Sequence, residues 1–385
     1  MTVNREVLSQ LTLTVRKFVR SRLVPLEFEV DKSDRIPEAI IQEMRDLGLF
    51  GLSIPQQYGG LGLSMSEEVC LAAELGYTAP AFRTIFGTNI GIGSQGILID
   101  GTESQKKKYL PRLASGEMIG SFALTEPDVG SDAGSVSMKA VRLGNNYILN
   151  GVKRYITNAP QAGIFTVMAR TGSPEEKARG ITAFLVEAGT AGLELGHPED
   201  KMGFRGAHCC DVIFNDVSIN KKQIIGGIEG RGFKTAMKVL DRGRLHLSAI
   251  AMGIANRLID EAMSYALERK QFGKRIADFQ LIQAKIADSK TEHLAGKSMV
   301  EAVAQRYDSG EKVSTEASCC KLFCTEAVGR IADRALQIHG GAGYIANFAV
   351  ERFYRDVRLL RLYEGTSEIQ QLVIAKNLIK DWKKK

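Results

Sequence analysis

The chain is short of cysteine, tryptophan and proline: six Cys, one Trp and nine Pro in 385 residues. Cys70, the vicinal pairs Cys209-Cys210 and Cys319-Cys320, and Cys324 form no C-x-x-C. A disulfide-stapled scaffold, a zinc ribbon and a thioredoxin-type site are therefore not expected. There is no H-E-x-x-H and no G-x-S-x-G, so the five His serve neither a zincin helix nor a nucleophile elbow. His208-Cys209-Cys210 would point alternately to opposite faces of a strand, which suits structure better than a metal. No positive-then-apolar leader opens the chain. The longest apolar run, Leu245 to Ala255, falls short of the roughly 20 residues of a membrane span and reads as a buried helix. An excess of one charge sign is also missing. Lys+Arg 51 against Asp+Glu 44 leave +7, with both signs interspersed. That pattern is not the clustered footprint of a nucleic-acid or membrane binder. A reduced, cytoplasmic protein is the expectation.

What is present is an ordinary globular composition, 44% hydrophobic and 25% charged, long enough for two to three domains. Residues 1–120 carry helical periodicity at Arg5 to Val24, Pro37 to Leu49, Leu71 to Gly76 and Gln105 to Leu113. Residues 121–230 switch to short β-rich runs: Ser121 to Thr125, Tyr147 to Leu149, Val152 to Thr157, Phe165 to Arg170, Ile181 to Val186 and Asp211 to Phe214. Asn150-Gly151 is the expected hairpin turn between two of them. Residues 231–385 return to long helices. Val328, Ile331, Ala335 and Ile338 share one face, with Arg330, Asp333 and Arg334 opposite, and Phe279, Ile282 and Ile286 repeat the pattern earlier. The architecture expected is mainly α with a central β-domain.

Two nucleotide-like motifs do not hold. Gly91-Ile92-Gly93-Ser94-Gln95-Gly96 fits G-x-G-x-x-G but lies in a helical region, so close packing is the better explanation. Gly227 to Gly232 resembles a P-loop but places Phe233 where Lys must stand.

Three segments are richer. Phe122-Ala-Leu-Thr-Glu-Pro-Asp-Val-Gly-Ser-Asp132, with Tyr155-Ile156-Thr157-Asn158, offers hydroxyls and open backbone suited to a planar ligand such as a flavin ring, or is simply a Pro/Gly turn. Arg269 to Gln280 couples cations, Phe272 and an amide between long helices, a cradle for a pyrophosphate or a basic connecting loop. Gln337-Ile-His-Gly-Gly-Ala-Gly343 lets a backbone or phosphate approach closely. Downstream, Tyr363-Glu-Gly-Thr-Ser-Glu-Ile369 sets Glu364 just before a helix that Thr366 or Ser367 would cap.

Together these segments resemble the acyl-CoA dehydrogenase family, in order and spacing over nearly the whole chain. LTEPDVGSD at 124–132 and the stretch from Gln337 to Gln370 correspond to its two signature regions. The resemblance implies an N-terminal α-domain, a middle β-barrel or sandwich and a C-terminal four-helix bundle. It also implies FAD, a homotetramer, an acyl-CoA substrate and electron-transfer flavoprotein as acceptor, the setting of fatty acid β-oxidation. Phe122, Leu124, Thr125, Gly130, Ser131, Tyr155, Ile156 and Thr157 would line the flavin, with Tyr155 where most relatives have Trp. Arg269, Phe272, Gln280, Gln337, Gly340 and Gly341 would reach the adenosine diphosphate of a neighbouring subunit. Thr366 and Glu368 would close the site. Ser131, Asp241 and Arg244, with Tyr363 and Gly365, would bind the CoA thioester. Glu364 matches the catalytic base, while the position that other branches use for it is Gly243 here. The implied reaction is α-proton abstraction by Glu364 with β-hydride transfer to flavin N5, giving the trans-2,3-enoyl-CoA. Burial should raise Glu364 towards neutrality more than the nearby helix N-terminus lowers it.

Arg83 bears on the acyl group. It falls near the Arg that glutaryl-CoA dehydrogenases use for a distal carboxylate, so a dicarboxylyl-CoA such as glutaryl- or adipyl-CoA is one reading. The other is a short-, medium- or branched-chain enzyme in which Arg83 is structural. A desulfinase-like lyase and a non-enzymatic flavoprotein are rival classes. Glu364 argues against the first, and the chain's close at Lys383-Lys384-Lys385 without a basic extension against the second.

Overall fold

The computed structural model of the chain describes residues 5–384. Among them, the N-terminal helices are α1 (Arg5–Phe18), α2 (Glu27–Ser33), α3 (Glu38–Asp46), α4 (Met65–Leu75), α5 (Pro80–Thr88), α6 (Gln95–Asp100) and α7 (Glu103–Ser115). Seven strands follow: β1 (Gly120–Ala123), β2 (Lys139–Leu143), β3 (Asn146–Thr157), β4 (Ile164–Arg170), β5 (Ile181–Glu187), β6 (Leu193–Leu195) and β7 (Cys209–Asn220). Then come α8 (Gly232–Glu268), a small hairpin of β8 (Lys270–Gln271) and β9 (Lys274–Arg275), α9 (Gln280–Asp308), α10 (Ser314–His339), α11 (Ala349–Leu360) and α12 (Ser367–Trp382).

The strands form one curled sheet in the order β1-β4-β2-β3-β7-β6, with β5 added on β4. Period-two alternation gives the sheet two apolar faces. Phe165, Val167, Phe184 and Val186 enter a core closed by Tyr147, Leu149 and Phe214 within the sheet. Ile164, Met168, Ile181 and Leu185 face the other way, onto Ile97, Tyr109, Leu110 and Leu113 of α6 and α7. A third core joins the N-terminal helices to the bundle of α8 to α11. The face expected at Val328, Ile331, Ala335 and Ile338 is buried there, and so is almost all of Leu245 to Ala255 in α8.

The turn expected at Asn150-Gly151 is not a turn. β3 runs through it unbroken, with a register shift between Leu149 and Gly151 against β7. The reversal lies at Gly144-Asn145, where Leu143 pairs with Asn146 and Gly144 takes φ 61°. An Asn-Gly pair tolerates a bulge as readily as a turn, and periodicity alone does not separate the two. The packing explanation of Gly91 to Gly96 fits: a Cβ on Gly93 would stand 2.8 Å from the Gly120 carbonyl carbon at the start of β1.

Candidate active site

A cavity of about 830 Å³ lies between the start of the sheet and the helices. One wall is the loop after β1 and the end of β3, bringing Phe122, Leu124, Thr125, Gly130, Ser131, Tyr155, Ile156 and Thr157 together. Tyr155 reaches it through a bulge: pairing with β7 skips between Lys153 and Ile156, and Tyr155 adopts φ 57°. Non-glycine residues in this region carry strain, which concentrates at functional sites. The hydroxyls of Thr125, Ser131 and Thr157 make no hydrogen bond to other described residues, so this wall presents free donors and acceptors.

The facing wall is built by the turn between α11 and α12. Glu364 there also has positive φ, 56°, followed by Gly365 at 93°. Two buried side chains hold the turn by its carbonyls: Lys321 Nζ donates to Gly365 O at 2.8 Å, and Gln370 Nε2 donates to Glu364 O at 3.2 Å and Gly365 O at 3.0 Å. Thr366 Oγ1 accepts from Ile369 N–H at 3.3 Å and caps α12. With the carbonyls turned away, the carboxylate enters the cavity. Its Oε2 is shut from solvent and has no hydrogen-bond partner. Gly243 on α8 makes the space, since a Cβ there would lie 2.6 Å from that oxygen.

Burial raises the Glu364 pKa, and Arg83, Lys321 and Arg244 pull it back. Burial also lowers the Lys321 ammonium to about 8. Arg83, Arg244, Tyr363 and Gly365 complete the cavity's share of the expected residues. Asp241 stands behind the wall, accepting from Arg244 Nη1 at 2.8 Å and from Ser314.

The remaining expected residues are elsewhere. Thr366 and Glu368 do not line the cavity, and Glu368 is exposed. Arg269, Phe272, Gln280, Gln337, Gly340 and Gly341 all lie on the outer surface. Phe272 is 92% exposed at the tip of the β8–β9 hairpin.

Among the cavity residues that the sequence does not single out are Glu68 on α4, and Arg242 and His246 on α8. His246 Nδ1 pairs with Glu68 Oε1 at 2.7 Å, Arg242 pairs with Glu68 Oε2, and Arg83 Nε donates to His246 Nε2 at 3.1 Å. Burial alone would raise the Glu68 carboxyl, but Arg242 and His246 outweigh it and hold it down to about 2.

Sequence models of the acyl-CoA dehydrogenase N-terminal, middle and C-terminal domains match residues 6–117, 121–217 and 230–379. A 3-(aryl)acrylate reductase of Clostridium sporogenes is 42% identical over 95% of this chain and 96% of its own. The butyryl-CoA dehydrogenase structure from Megasphaera elsdenii superposes with TM-score 0.94 at 33% identity, covering 98% of this chain and all of the other. A structure from Acidaminococcus fermentans, described under electron transferring flavoprotein and flavin-based electron bifurcation, superposes with TM-score 0.93 at 34% identity, covering 98% and 99%. With all three domains matched in order around one cavity, the chain belongs to the acyl-CoA dehydrogenase family, FAD-dependent oxidoreductases acting on acyl-CoA.

Proposed function

We propose that Glu364 is the base that removes the α-proton of a bound acyl-CoA, yielding the trans-2,3-enoyl-CoA. The observation that carries this reading is the partnerless, solvent-shielded Glu364 Oε2 on the cavity wall. A carboxylate stripped of partners is a stronger base than one in water, and its raised pKa brings it nearer the range that proton transfer needs. The Glu364 N–H, which donates to no other described residue, is free to donate to the thioester carbonyl, where enolate charge develops.

The donor set on the sheet wall fits FAD: free hydroxyls on Thr125, Ser131 and Thr157 beside the ring of Tyr155, across the cavity from Glu364. Bound FAD supplies the two-electron acceptor that takes the β-hydrogen as hydride. The exposed set Arg269, Phe272, Gln280, Gln337, Gly340 and Gly341 holds the adenosine diphosphate half of a neighbouring copy's FAD, in a homotetramer. A second cavity, about 560 Å³, shares Gly134 with the first and carries Lys139, Arg142 and Lys177, cations for the phosphates of CoA. Ser131, Asp241, Arg244 and Tyr363 position the thioester, and electron-transfer flavoprotein carries the electrons away. At the acyl end, Arg83 makes one hydrogen bond, through Nε, and keeps its Nη fork for a distal carboxylate. A dicarboxylyl-CoA such as glutaryl- or adipyl-CoA is the substrate this favours.

A second reading concerns direction. The reductase name of the Clostridium relative favours enoyl-CoA reduction. Glu364, entering protonated, would then return the α-proton. An anaerobic panel on the FAD-loaded protein separates these readings. Butyryl-, octanoyl-, isobutyryl-, glutaryl- and adipyl-CoA are added to oxidised protein, and the matching enoyl-CoAs to reduced protein. Fast bleaching of the flavin band by acyl-CoA, lost by a factor of about 10²–10⁴ in Glu364→Gln with FAD content intact, is the expected outcome. Bleaching unaltered in Glu364→Gln would remove Glu364 as the base.

A further inference from the structure

The buried charges at the α5 end of the cavity do not balance among themselves. Glu68, Arg83, Arg242 and His246 come from three helices and are 1%, 7%, 8% and 4% exposed. Their hydrogen bonds fix every proton. Arg83 Nε is only a donor, so His246 Nε2, 3.1 Å away, is the acceptor and carries no proton. His246 is then the neutral Nδ1–H tautomer and donates to Glu68 Oε1 at 2.7 Å. Glu68 is ionised, and its second oxygen is taken by Arg242. One carboxylate therefore faces two guanidiniums. Within this set Arg242 is neutralised, and Arg83 has only an uncharged imidazole as hydrogen-bond partner; outside it, the Glu364 carboxylate feels the Arg83 charge but makes no hydrogen bond to it.

Gly87, one turn further along α5, sets the geometry. A Cβ there would lie 2.3 Å from Arg83 Nε and 2.7 Å from its Cζ. The guanidinium is thus laid back over Gly87, with its edge locked on His246 and its fork left in the cavity.

We propose that Glu68 and His246 are positioning residues for Arg83: a carboxylate–imidazole relay that orients one unneutralised guanidinium as the recognition site for an anionic acyl terminus. This rests on the dicarboxylyl-CoA reading and adds what enforces it. A neutral histidine does what a carboxylate in its place would not. It holds Arg83 by one hydrogen bond without cancelling the charge meant for the substrate. The ionised Glu68 in turn fixes the imidazole's tautomer. Buried charge without a partner is costly, so the pocket penalises an uncharged acyl end and favours one that completes the pair.

Steady-state kinetics on FAD-loaded wild type, His246→Leu, His246→Gln and Gly87→Ala with adipyl-, glutaryl- and butyryl-CoA test this. His246→Leu should raise KM for the dicarboxylyl substrates at least about tenfold more than for butyryl-CoA, the worth of a hydrogen bond to a charged group. His246→Gln, whose carbonyl still accepts from Arg83, should restore most of the difference. Gly87→Ala replaces none of the four residues yet presses on Arg83 and displaces it, and should reproduce the His246→Leu selectivity even if that variant folds poorly. Equal KM changes for all substrates in His246→Leu and Gly87→Ala would overturn the relay while leaving the dicarboxylyl reading standing. Wild type that refuses both dicarboxylyl substrates would overturn that reading, and the relay with it.

Discussion

At the scale of single residues, the site is a contest between burial and nearby cations over one carboxylate. As the proposed base, Glu364 would have to be ionised to act, and burial holds its pKa above the ordinary 4.5. The rate should therefore fall as pH drops through that raised value, so the acid limb of the kcat/KM profile, which reports the free enzyme, lies above pH 4.5. Arg83 is the largest of the charges pulling the pKa back. Replacing it with Met removes a cation that stabilises the carboxylate, so the pKa rises further and the acid limb moves to higher pH. This can be read with butyryl-CoA, which has no distal charge. A limb that stays in place in Arg83→Met would mean that Arg83 and Glu364 do not feel one another. A dicarboxylyl substrate that neutralises Arg83 once bound should move the acid limb of its own wild-type kcat profile in the same direction.

At the scale of elements, the relay depends on how closely α4 and α8 run side by side. A Cβ on Gly253 would lie 2.2 Å from Ala73 O and 2.7 Å from Gly76 Cα, so the two helices touch backbone to backbone. Two turns back along both helices, that contact delivers Glu68 to Arg242 and His246. Gly253→Ala should push the helices apart, at about 1–3 kcal/mol or more for overpacking. Thermal melting of the FAD-loaded protein should show a lowered Tm, together with weakened dicarboxylyl selectivity. An unchanged Tm would mean that the helices separate freely.

This geometry also explains what could be read in advance. Glu364, Tyr155 and the loop after Phe122, which line one cavity, stand in contiguous segments that carry the family resemblance, with local signals beside it: a turn before a capped helix, and a Pro/Gly-rich break between strands. Glu68, Arg242 and His246 do not. Their bonds join residues 163 to 178 positions apart, and a charge beside Asp241 and Arg244 reads as a solvated helix face. The usable signal was the phase of α8. A helix that is apolar all round from Leu245 to Ala255 has no wet face, so charges within or beside that run must be paired. The Asn150-Gly151 misreading has the same root, because a bulge and a turn use the same residues and only pairing with β7 tells them apart.

At the scale of the whole molecule, one half of the expected cofactor site sits in the cavity and the other half faces outward. Among the described residues, α12 leaves Leu372, Leu378, Ile379 and Trp382 exposed, and the surface elsewhere leaves Leu281, Tyr344 and Ile345 so. Phe272 stands at φ 52° on its hairpin tip with only Phe279 as a ring neighbour, their centroids 6.0 Å apart. A large aromatic held in a strained turn and left 92% exposed gives the isolated chain little stability. Contact with another copy and its cofactor would give it a role. Phe272→Asp should therefore leave the melting of FAD-stripped protein within about 0.5 kcal/mol of wild type, as for an ordinary surface change. The same substitution should lower the FAD retained on dilution and, by sedimentation, the fraction of the proposed homotetramer. Full FAD occupancy and an intact tetramer in Phe272→Asp would place the adenosine diphosphate elsewhere, and would remove the hairpin from the shared site.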